Sequence, residues 1–213
     1  MELADLERMM QEQLRQQAMA NGVTLLDPNS VYFSSDIKIG QDVIIEPNVF
    51  FGPGVVIGNN VRIKAFSHIE GAAIGNNTEI GPFARLRPET AIGENARIGN
   101  FVEVKKSVIG NDTKISHLSY IGDSAVGMNT NIGGGTITCN YNGFIKSKTT
   151  IGNNVFIGSN SILVAPVTIA DNAMTAAGSV ITQDVSSGAL ALGRARQEEK
   201  TGWVKKFRER FVN

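Results

Sequence analysis

An aliphatic residue recurs at about every sixth position from Ile39 to Ile181, and this repeat constrains the fold more than any other feature. The residue four places later is small or β-branched, as in Val43 after Ile39 and Val49 after Ile45. A unit of this size cannot bury its apolar side chain alone, so successive units must stack. Three short strands per turn then give a parallel β-helix with about 18 residues per coil, in which the aliphatic residues point inward.

The repeat is irregular at a few places. Some units are one residue shorter, as from Val104 to Ile109, and the repeat stops between Ile132 and Ile151. The segment 138–149 within that gap is polar, aromatic and basic, so we predict that it projects as a loop. Loops on a rigid scaffold often carry binding and catalytic residues.

The N-terminal segment, residues 1–22, differs in character from the repeat. It carries Leu3, Leu6, Met10 and Leu14 at helical spacing among charged and amide side chains. This pattern predicts an amphipathic helix that packs against the first coil or against a neighbouring chain.

We assign residues 23–190 to the β-helix and residues 191–213 to a basic C-terminal tail that contains aromatic residues. The tail is either solvated or part of a site that binds an anion. The fold class predicted for the whole chain is therefore an all-β solenoid with an N-terminal α-helix.

Bulk composition excludes several classes of protein. The formal net charge of zero argues against general binding to nucleic acid or to an acidic membrane. Cys139 is the single cysteine, which excludes an intrachain disulfide framework and is typical of a reducing compartment. We recognise neither a signal peptide nor a membrane-spanning segment and therefore expect a cytoplasmic location.

Two histidines are present, His68 and His117. A β-helix carbonic anhydrase would need three histidines around zinc, and no other spacing of Cys or His replaces them, so we expect no metal. His117 follows the inward Ile115 and is predicted to face outward. Imidazole accepts a proton readily near neutral pH, which makes His117 a candidate base, whereas His68 has no cationic neighbours and is interpreted as structural.

Cationic side chains are predicted to stack near His117. Arg87 and Lys105 are one coil of sequence apart, and guanidinium and ammonium groups on one line suit a phosphate. Ser159 and Ala177 have the same separation, so they either leave a groove or simply fill the coil. The glycines at 133–135 indicate a close approach to a ligand more than a phosphate loop, because no lysine follows them.

Several motifs are longer and more specific than the repeat. They are Arg87-Pro88, FVEVKK at 101–106, HLSYIGD at 117–123 and GTITCNYNG at 135–143. Together they resemble the acetyltransferase half of the bifunctional bacterial GlmU enzyme, and the resemblance extends from residue 18 to residue 203.

This resemblance implies a left-handed β-helix that assembles as a homotrimer with active sites between subunits. It implies transfer of the acetyl group of acetyl-CoA to the amine of glucosamine 1-phosphate, for UDP-N-acetylglucosamine and cell-wall synthesis, with no metal required. His117 would be the proton acceptor. The residues implied for the sugar phosphate are Arg87, Lys105, Tyr120, Asn131 and Lys146, and those for acetyl-CoA are Gly134, Asn140, Tyr141, Ser159, Ala177 and Arg194.

Gly134 stands where the family commonly has alanine, and the uridyltransferase domain of the family has no counterpart in this sequence, so we expect no uridyltransferase activity from it. Two alternatives stay open. A related hexapeptide-repeat enzyme could acetylate another acceptor, such as a nucleotide-linked amino sugar or serine. A scaffold without catalytic activity is the third possibility.

Overall fold

Short parallel strands stacked on three faces form the body of the protein in the computed structural model, which describes residues 2–211. They make a parallel, left-handed β-helix of about nine turns that follows one N-terminal helix. The predicted fold class is thereby confirmed. Met1, Val212 and Asn213, which belong to the predicted terminal segments, lie outside the described residues.

The elements follow one another along the chain with short connections. The helices are α1 (Leu3–Ala20) and α2 (Trp203–Glu209), and a short 3₁₀ helix spans Pro28–Ser30. The first strands are β1 (Thr24–Leu25), β2 (Lys38–Ile39), β3 (Ile44–Ile45), β4 (Phe50–Phe51), β5 (Val56–Ile57), β6 (Arg62–Ile63), β7 (His68–Ile69), β8 (Ala72–Ile74), β9 (Glu79–Ile80), β10 (Arg85–Leu86), β11 (Thr90–Ile92), β12 (Arg97–Asn100) and β13 (Glu103–Lys105). The others are β14 (Val108–Ile109), β15 (Lys114–His117), β16 (Tyr120–Gly122), β17 (Ser124–Val126), β18 (Asn131–Ile132), β19 (Ile137–Cys139), β20 (Thr149–Ile151), β21 (Phe156–Ile157), β22 (Ile162–Val164), β23 (Val167–Ile169), β24 (Met174–Thr175), β25 (Val180–Ile181) and β26 (Leu190–Ala191).

Every third strand falls on the same face. The first face has the order β1-β3-β6-β9-β12-β15-β18-β21-β24-β26, the second β4-β7-β10-β13-β16-β19-β22-β25, and the third β2-β5-β8-β11-β14-β17-β20-β23. Strand pairs are parallel and in register, so Ile45 lies beside Ile63 and Ile98 beside Ile115. Each coil therefore passes the first, second and third faces in turn.

The repeated aliphatic residues fill the interior, as the sequence predicts. Ile45, Ile63, Ile80, Ile98 and Ile115 form one internal column and are completely buried. Burying an aliphatic side chain of this size contributes about 1.5–3 kcal/mol, so the column stabilises the stack of coils more than any surface contact does.

Glycine and asparagine have different roles at the corners of the coils. The left-handed backbone conformation falls on the second residue after the glycine, as in Asn60 and Asn154, each with a φ of 55°. The glycine itself allows close approach, because a Cβ on Gly58 would lie 2.5 Å from Asn76 Oδ1. The corner asparagines also bond successive coils, since Asn76 Oδ1 accepts from the N–H of Asn59 at 2.8 Å.

Three phenylalanines occupy left-handed corner positions where other coils carry asparagine. Phe66, Phe83 and Phe101 have φ values of 60°, 55° and 54°. Their rings stack at centroid distances of 4.9 and 5.1 Å. We call Phe66, Phe83 and Phe101 the aromatic ladder; its side chains are exposed and it runs along the corner between the first and second faces.

Helix α1 covers the open N-terminal end of the β-helix, but not with the face that the sequence indicates. Leu14 and Ala18 pack against the core, and the polar Gln11 and Arg15 are buried beside them. The other residues of the predicted apolar stripe, Leu3, Leu6 and Met10, are exposed.

The projecting insert is narrower than the predicted segment 138–149. Thr138 is buried and Cys139 belongs to β19, so the insert consists of residues 140–148. The C-terminal region, expected as a tail, contains α2, whose aromatic residues Trp203 and Phe207 stack on one side. Neither helix within residues 2–211 has the length and apolar character needed to cross a membrane.

Candidate active site

His117 ends strand β15 at the corner between the first and second faces, and its side chain is exposed. Strand β12 lies directly beneath, which places Asn100 under His117. Nδ1 of His117 is 2.7 Å from Oδ1 of Asn100. Asn100 is a neighbour that the sequence did not suggest.

Small residues continue the same corner above His117. Gly134 lies one coil higher, and a Cβ built on it would be 3.4 Å from the Cβ of His117. The register between strands β18, β21 and β24 then places Ser159 above Gly134 and Ala177 above Ser159. We call Asn100, His117, Gly134, Ser159 and Ala177 the His117 column. Three coil spacings of about 4.8 Å separate His117 from Ala177, or about 14 Å.

Two further predicted residues flank this column. Arg194 reaches its upper end, where its Cδ would be 3.9 Å from a Cβ on Gly178. Asn131 lies on the first face beside Lys114, in the strand that leads to Gly134.

A second group of predicted residues occupies the corner between the second and third faces. Lys105 Nζ contacts Asp123 Oδ2 at 3.0 Å, and the same oxygen accepts a hydrogen bond from Asn140 Nδ2. Lys146 lies next to Lys105. We call Lys105, Asp123, Asn140 and Lys146 the lysine corner.

The electrostatics of the lysine corner favour an anion. The hydrogen bond with Asp123 raises the pKa of Lys105, which therefore stays charged. Lys105 in turn lowers the pKa of Lys146, because two ammonium groups repel each other at short range. Burial raises the pKa of Asp123, but hydrogen bonds from Lys105 and Asn140 outweigh it and the net pKa is lowered. One carboxylate thus faces two lysines, and a bound anion would relieve the repulsion between them.

Arg87 and Tyr120 lie beside the lysine corner. Arg87 is stacked one coil below Lys105, as the spacing predicts, and its Nη1 contacts Glu103 Oε1 at 3.0 Å. Tyr120 points along the second face towards this corner, where its hydroxyl is 3.5 Å from Asn140 Nδ2.

The insert is anchored at the lysine corner by Asn140, while its tip is exposed. The insert folds back on itself through a bridge between Tyr141 and Lys146, and the Tyr141 hydroxyl donates to the Gly143 carbonyl at 2.5 Å. Phe144 at the tip is 92% exposed, so the insert carries an apolar group that nothing within the described part of the chain covers.

The structure therefore divides the predicted residues into two groups at opposite edges of the second face. Lys105 pairs with Gly122, which lies five residues after His117, so the backbone separation along the second face is at most about 16 Å at ~3.3 Å per residue. The contacts of Lys105 and Lys146 are with Asp123 and with each other, and those of His117 are with Asn100. Within one chain, His117 and the lysine corner are not brought together.

The other histidine lies in different surroundings. The His68 ring stacks on Phe50 at a centroid distance of 4.6 Å, on the second face near the N-terminal end. Among residues 2–211, no group of three or more His, Cys, Asp or Glu side chains is arranged to hold a metal ion.

Protein-family models match the repeat and the region of the two residue groups. The model described as "Bacterial transferase hexapeptide (six repeats)" matches residues 36–71 and 148–183. The model described as "GMPPB C-terminal domain" matches residues 68–141.

Solved structures share the fold. A UDP-N-acetylglucosamine acyltransferase, LpxA from Bacteroides fragilis, has a TM-score of 0.66 and 23% identity over 76% of this chain and 69% of its own. The UDP-N-acetylglucosamine acyltransferase of Arabidopsis has a TM-score of 0.54 and 19% identity over 77% of this chain and 70% of its own. The fold and its repeats define a hexapeptide-repeat protein of the left-handed β-helix class.

Comparison with relatives in sequence gives a more specific result than comparison with solved structures. The chain is 58% identical to the bifunctional protein GlmU of Zymomonas mobilis over 98% of its length, and 57% identical to that of Agrobacterium fabrum, also over 98%. It is thus related to these bifunctional GlmU proteins. The chain spans 46% of the length of each relative.

Proposed function

We propose that the protein transfers the acetyl group of acetyl-CoA to the amine of glucosamine 1-phosphate. The relatives support an acyltransferase acting on an amino-sugar phosphate. The observation that carries the proposal is the His117 column, in which a candidate base stands at one end of a line of small residues.

The acetyl-CoA arm is proposed to lie along this column. Gly134, Ser159 and Ala177 leave room for an extended chain over about 14 Å, with Arg194 at the upper end to meet a phosphate. The thioester would then lie at the lower end, beside His117. The exposed Tyr141 and the anchored Asn140 of the insert would contact the donor across the subunit boundary.

The sugar phosphate is proposed to bind at the lysine corner of an adjacent subunit. Lys105 and Lys146 would hold its phosphate with Arg87 below, while Tyr120 of that subunit and Asn131 of the subunit that supplies His117 would contact the sugar. Because no contact joins His117 to the lysine corner within residues 2–211, we expect the site to be complete only when a second copy brings them together. We propose the homotrimer for this reason, and the exposed aromatic ladder on the corner below His117 supports it as a contact surface.

The reaction is a direct transfer. The neutral amine attacks the thioester carbonyl carbon as His117 accepts a proton from the nitrogen. A backbone N–H in the segment 131–141, where Gly134 is adjacent to His117, stabilises the oxyanion. The C–S bond then breaks, and the thiolate takes a proton from the imidazolium and leaves as CoA. Both substrates are held in one cleft, so proximity supplies much of the rate.

Incubation of the purified chain with acetyl-CoA and a panel of acceptors, without added metal and with free thiol as the readout, tests the proposal. Thiol release with glucosamine 1-phosphate is expected to exceed release with a nucleotide-linked amino sugar or with serine. Faster thiol release with the nucleotide-linked amino sugar or with serine would identify that compound as the acceptor. If no acceptor gave thiol release, the protein would be a scaffold without catalytic activity.

The same assay tests the phosphate contact. Lys105→Ala is expected to raise the KM for glucosamine 1-phosphate but not for glucosamine, because the lost group meets only the phosphate. Lys38→Ala, on an exposed lysine of strand β2, is the matched control. Equal effects of Lys105→Ala on both acceptors would contradict the phosphate assignment.

A further inference from the structure

The contact between Asn100 and His117 is set by the backbone of two adjacent coils. Asn100 ends strand β12 and His117 ends strand β15, and the two residues are paired in register. Beyond them, the N–H of Leu118 donates to the carbonyl oxygen of Asn100 at 3.0 Å. The side chains at this corner are therefore held on top of each other before any ligand binds.

Gly99 makes the close approach possible. A Cβ on Gly99 would lie 2.0 Å from the carbonyl oxygen of Ser116, so any other residue would push strand β15 away. Because Gly99 directly precedes Asn100 and Ser116 directly precedes His117, this approach allows the 2.7 Å separation between Oδ1 of Asn100 and Nδ1 of His117.

An amide oxygen can only accept a hydrogen bond, so Nδ1 of His117 must carry the proton in this contact. The lone pair of the neutral ring is then on Nε2, which points away from Asn100. A free imidazole in water prefers the opposite arrangement, with the proton on Nε2. The protein must therefore select the tautomer through the partner of Nδ1.

We propose that Asn100 is a positioning residue that holds His117 as the Nδ1–H tautomer, so that Nε2 is the atom that accepts the proton from the acceptor amine. This inference rests on the proposed acetyl transfer for its functional consequence. When Nε2 takes the proton, the hydrogen bond from Nδ1 to Asn100 persists and becomes charge-assisted, which stabilises the imidazolium. Asn100 thereby acts both before and during the proton transfer.

The tautomer can be measured directly, because the chain has only two histidines. With ¹⁵N-labelled histidine, a His68→Gln variant leaves the His117 ring nitrogens as the one imidazole signal. At a pH where the ring is neutral, the folded protein is expected to show Nδ1 protonated and Nε2 unprotonated. In His68→Gln/Asn100→Leu the population is expected to shift towards Nε2–H, while Asn100→Asp, which keeps an oxygen acceptor, is expected to retain Nδ1–H.

Kinetics give the second measurement. Asn100→Leu is expected to lower kcat by about 10- to 100-fold, the range for lost hydrogen-bond partners of metal-bound histidines, with little change in either KM. Asn100→Asp should recover part of the loss. An Nε2–H tautomer in the parent protein, or an unchanged tautomer in Asn100→Leu, would overturn the inference. If Asn100→Leu fails to fold, the tautomers of the parent protein and of Asn100→Asp still decide. The NMR result does not depend on which acceptor is acetylated, so failure of the proposed function is distinguishable from failure of the positioning role.

Discussion

The side-chain amide of Gln11 makes two hydrogen bonds with the backbone of Phe33, in the manner of a neighbouring strand. Its Nε2 donates to the Phe33 carbonyl at 2.7 Å, and its Oε1 accepts from the Phe33 N–H at 2.9 Å. The first coil has no coil beneath it, so these backbone groups would otherwise be buried without partners. Helix α1 thus caps the end of the solenoid with a polar side chain.

Gln11→Met is therefore expected to destabilise the fold by about 1–3 kcal/mol, because it keeps the volume of the side chain but leaves a buried N–H and C=O unpaired. Urea unfolding measures the change. Gln16→Met is the matched control, since Gln16 lies on the same helix and bonds only to Glu12 on its surface. Equal unfolding midpoints for the two variants would show that α1 does not cap the coil in this way.

Adjacent glycines above His117 are expected to respond oppositely to alanine. A Cβ on Gly133 would lie 2.5 Å from the backbone nitrogen of Ser159, so Gly133→Ala should destabilise by about 1–3 kcal/mol through overpacking. A Cβ on Gly134 meets nothing closer than 3.4 Å, so Gly134→Ala should stabilise by about 0.4–1 kcal/mol by restricting the unfolded chain. Denaturant midpoints of the two variants test this, and a loss of stability in Gly134→Ala would contradict the spacing of these coils.

The lysine corner predicts a pH dependence of stability. Although burial opposes it, hydrogen bonds from Lys105 and Asn140 lower the pKa of Asp123 below its ordinary value of 3.8. A carboxyl with a depressed pKa contributes stability that is present above the ordinary value and is lost as the pH falls through the lower, folded-state value. Asp123→Asn should therefore be less stable than the parent protein at neutral pH, and the gap should narrow below pH 3.8.

Urea midpoints of Asp123→Asn and the parent protein across the acidic range measure that gap. Asp112→Asn, at a left-handed corner without a lysine partner among the ion pairs of residues 2–211, serves as the control and should show a smaller gap. If the stability difference between Asp123→Asn and the parent protein grew on acidification, the pKa of Asp123 would be raised and not lowered.

The aromatic ladder predicts how the chain assembles. A left-handed conformation costs most residues roughly 1–2 kcal/mol, and asparagine tolerates it better than phenylalanine. Phe101→Asn should thus keep or improve the stability of a single chain, while it removes an exposed ring from the proposed contact. Sedimentation is expected to show a trimer for the parent protein and dissociation for Phe101→Asn.

The control is Val56→Asn, which removes an exposed apolar group from the third face and should leave the trimer intact. If the Phe101→Asn trimer had the same affinity as the parent trimer, the aromatic ladder would not belong to the interface.

The sequence predicts the fold well because the repeat itself specifies which residues face inward. Ile45 and Ile63 are buried at the expected positions, and Arg87 stacks below Lys105 at the expected spacing. The sequence does not predict which residues of helix α1 contact the first coil, because this packing depends on backbone hydrogen bonds at the end of the solenoid. There Gln11, and not Leu3, forms the contact, because the first coil needs hydrogen-bond partners more than apolar cover.

The sequence predicts the candidate site only in part. The reason is the register between coils, which changes wherever a unit of the repeat is shorter. A full coil of about 18 residues would place Asn100 beneath Leu118. The shorter unit from Val104 to Ile109 removes one residue from this coil, so Asn100 lies beneath His117. Allowing for each short unit in the repeat would have revealed the contact. The distance between His117 and the lysine corner depends instead on neighbouring chains, which the repeat does not specify.

His117→Ala tests the base directly. Removal of a general base is expected to lower kcat by about 10²–10⁴-fold with the KM for glucosamine 1-phosphate little changed, because the imidazole acts on the amine and not on the phosphate. His68→Ala is the matched control, since His68 is also an exposed imidazole but stacks on Phe50 away from both groups of candidate residues. Steady-state rates of thiol release measure both variants. If His117→Ala keeps the turnover of His68→Ala, the proton from the amine goes to another acceptor, and the His117 column serves only to bind acetyl-CoA.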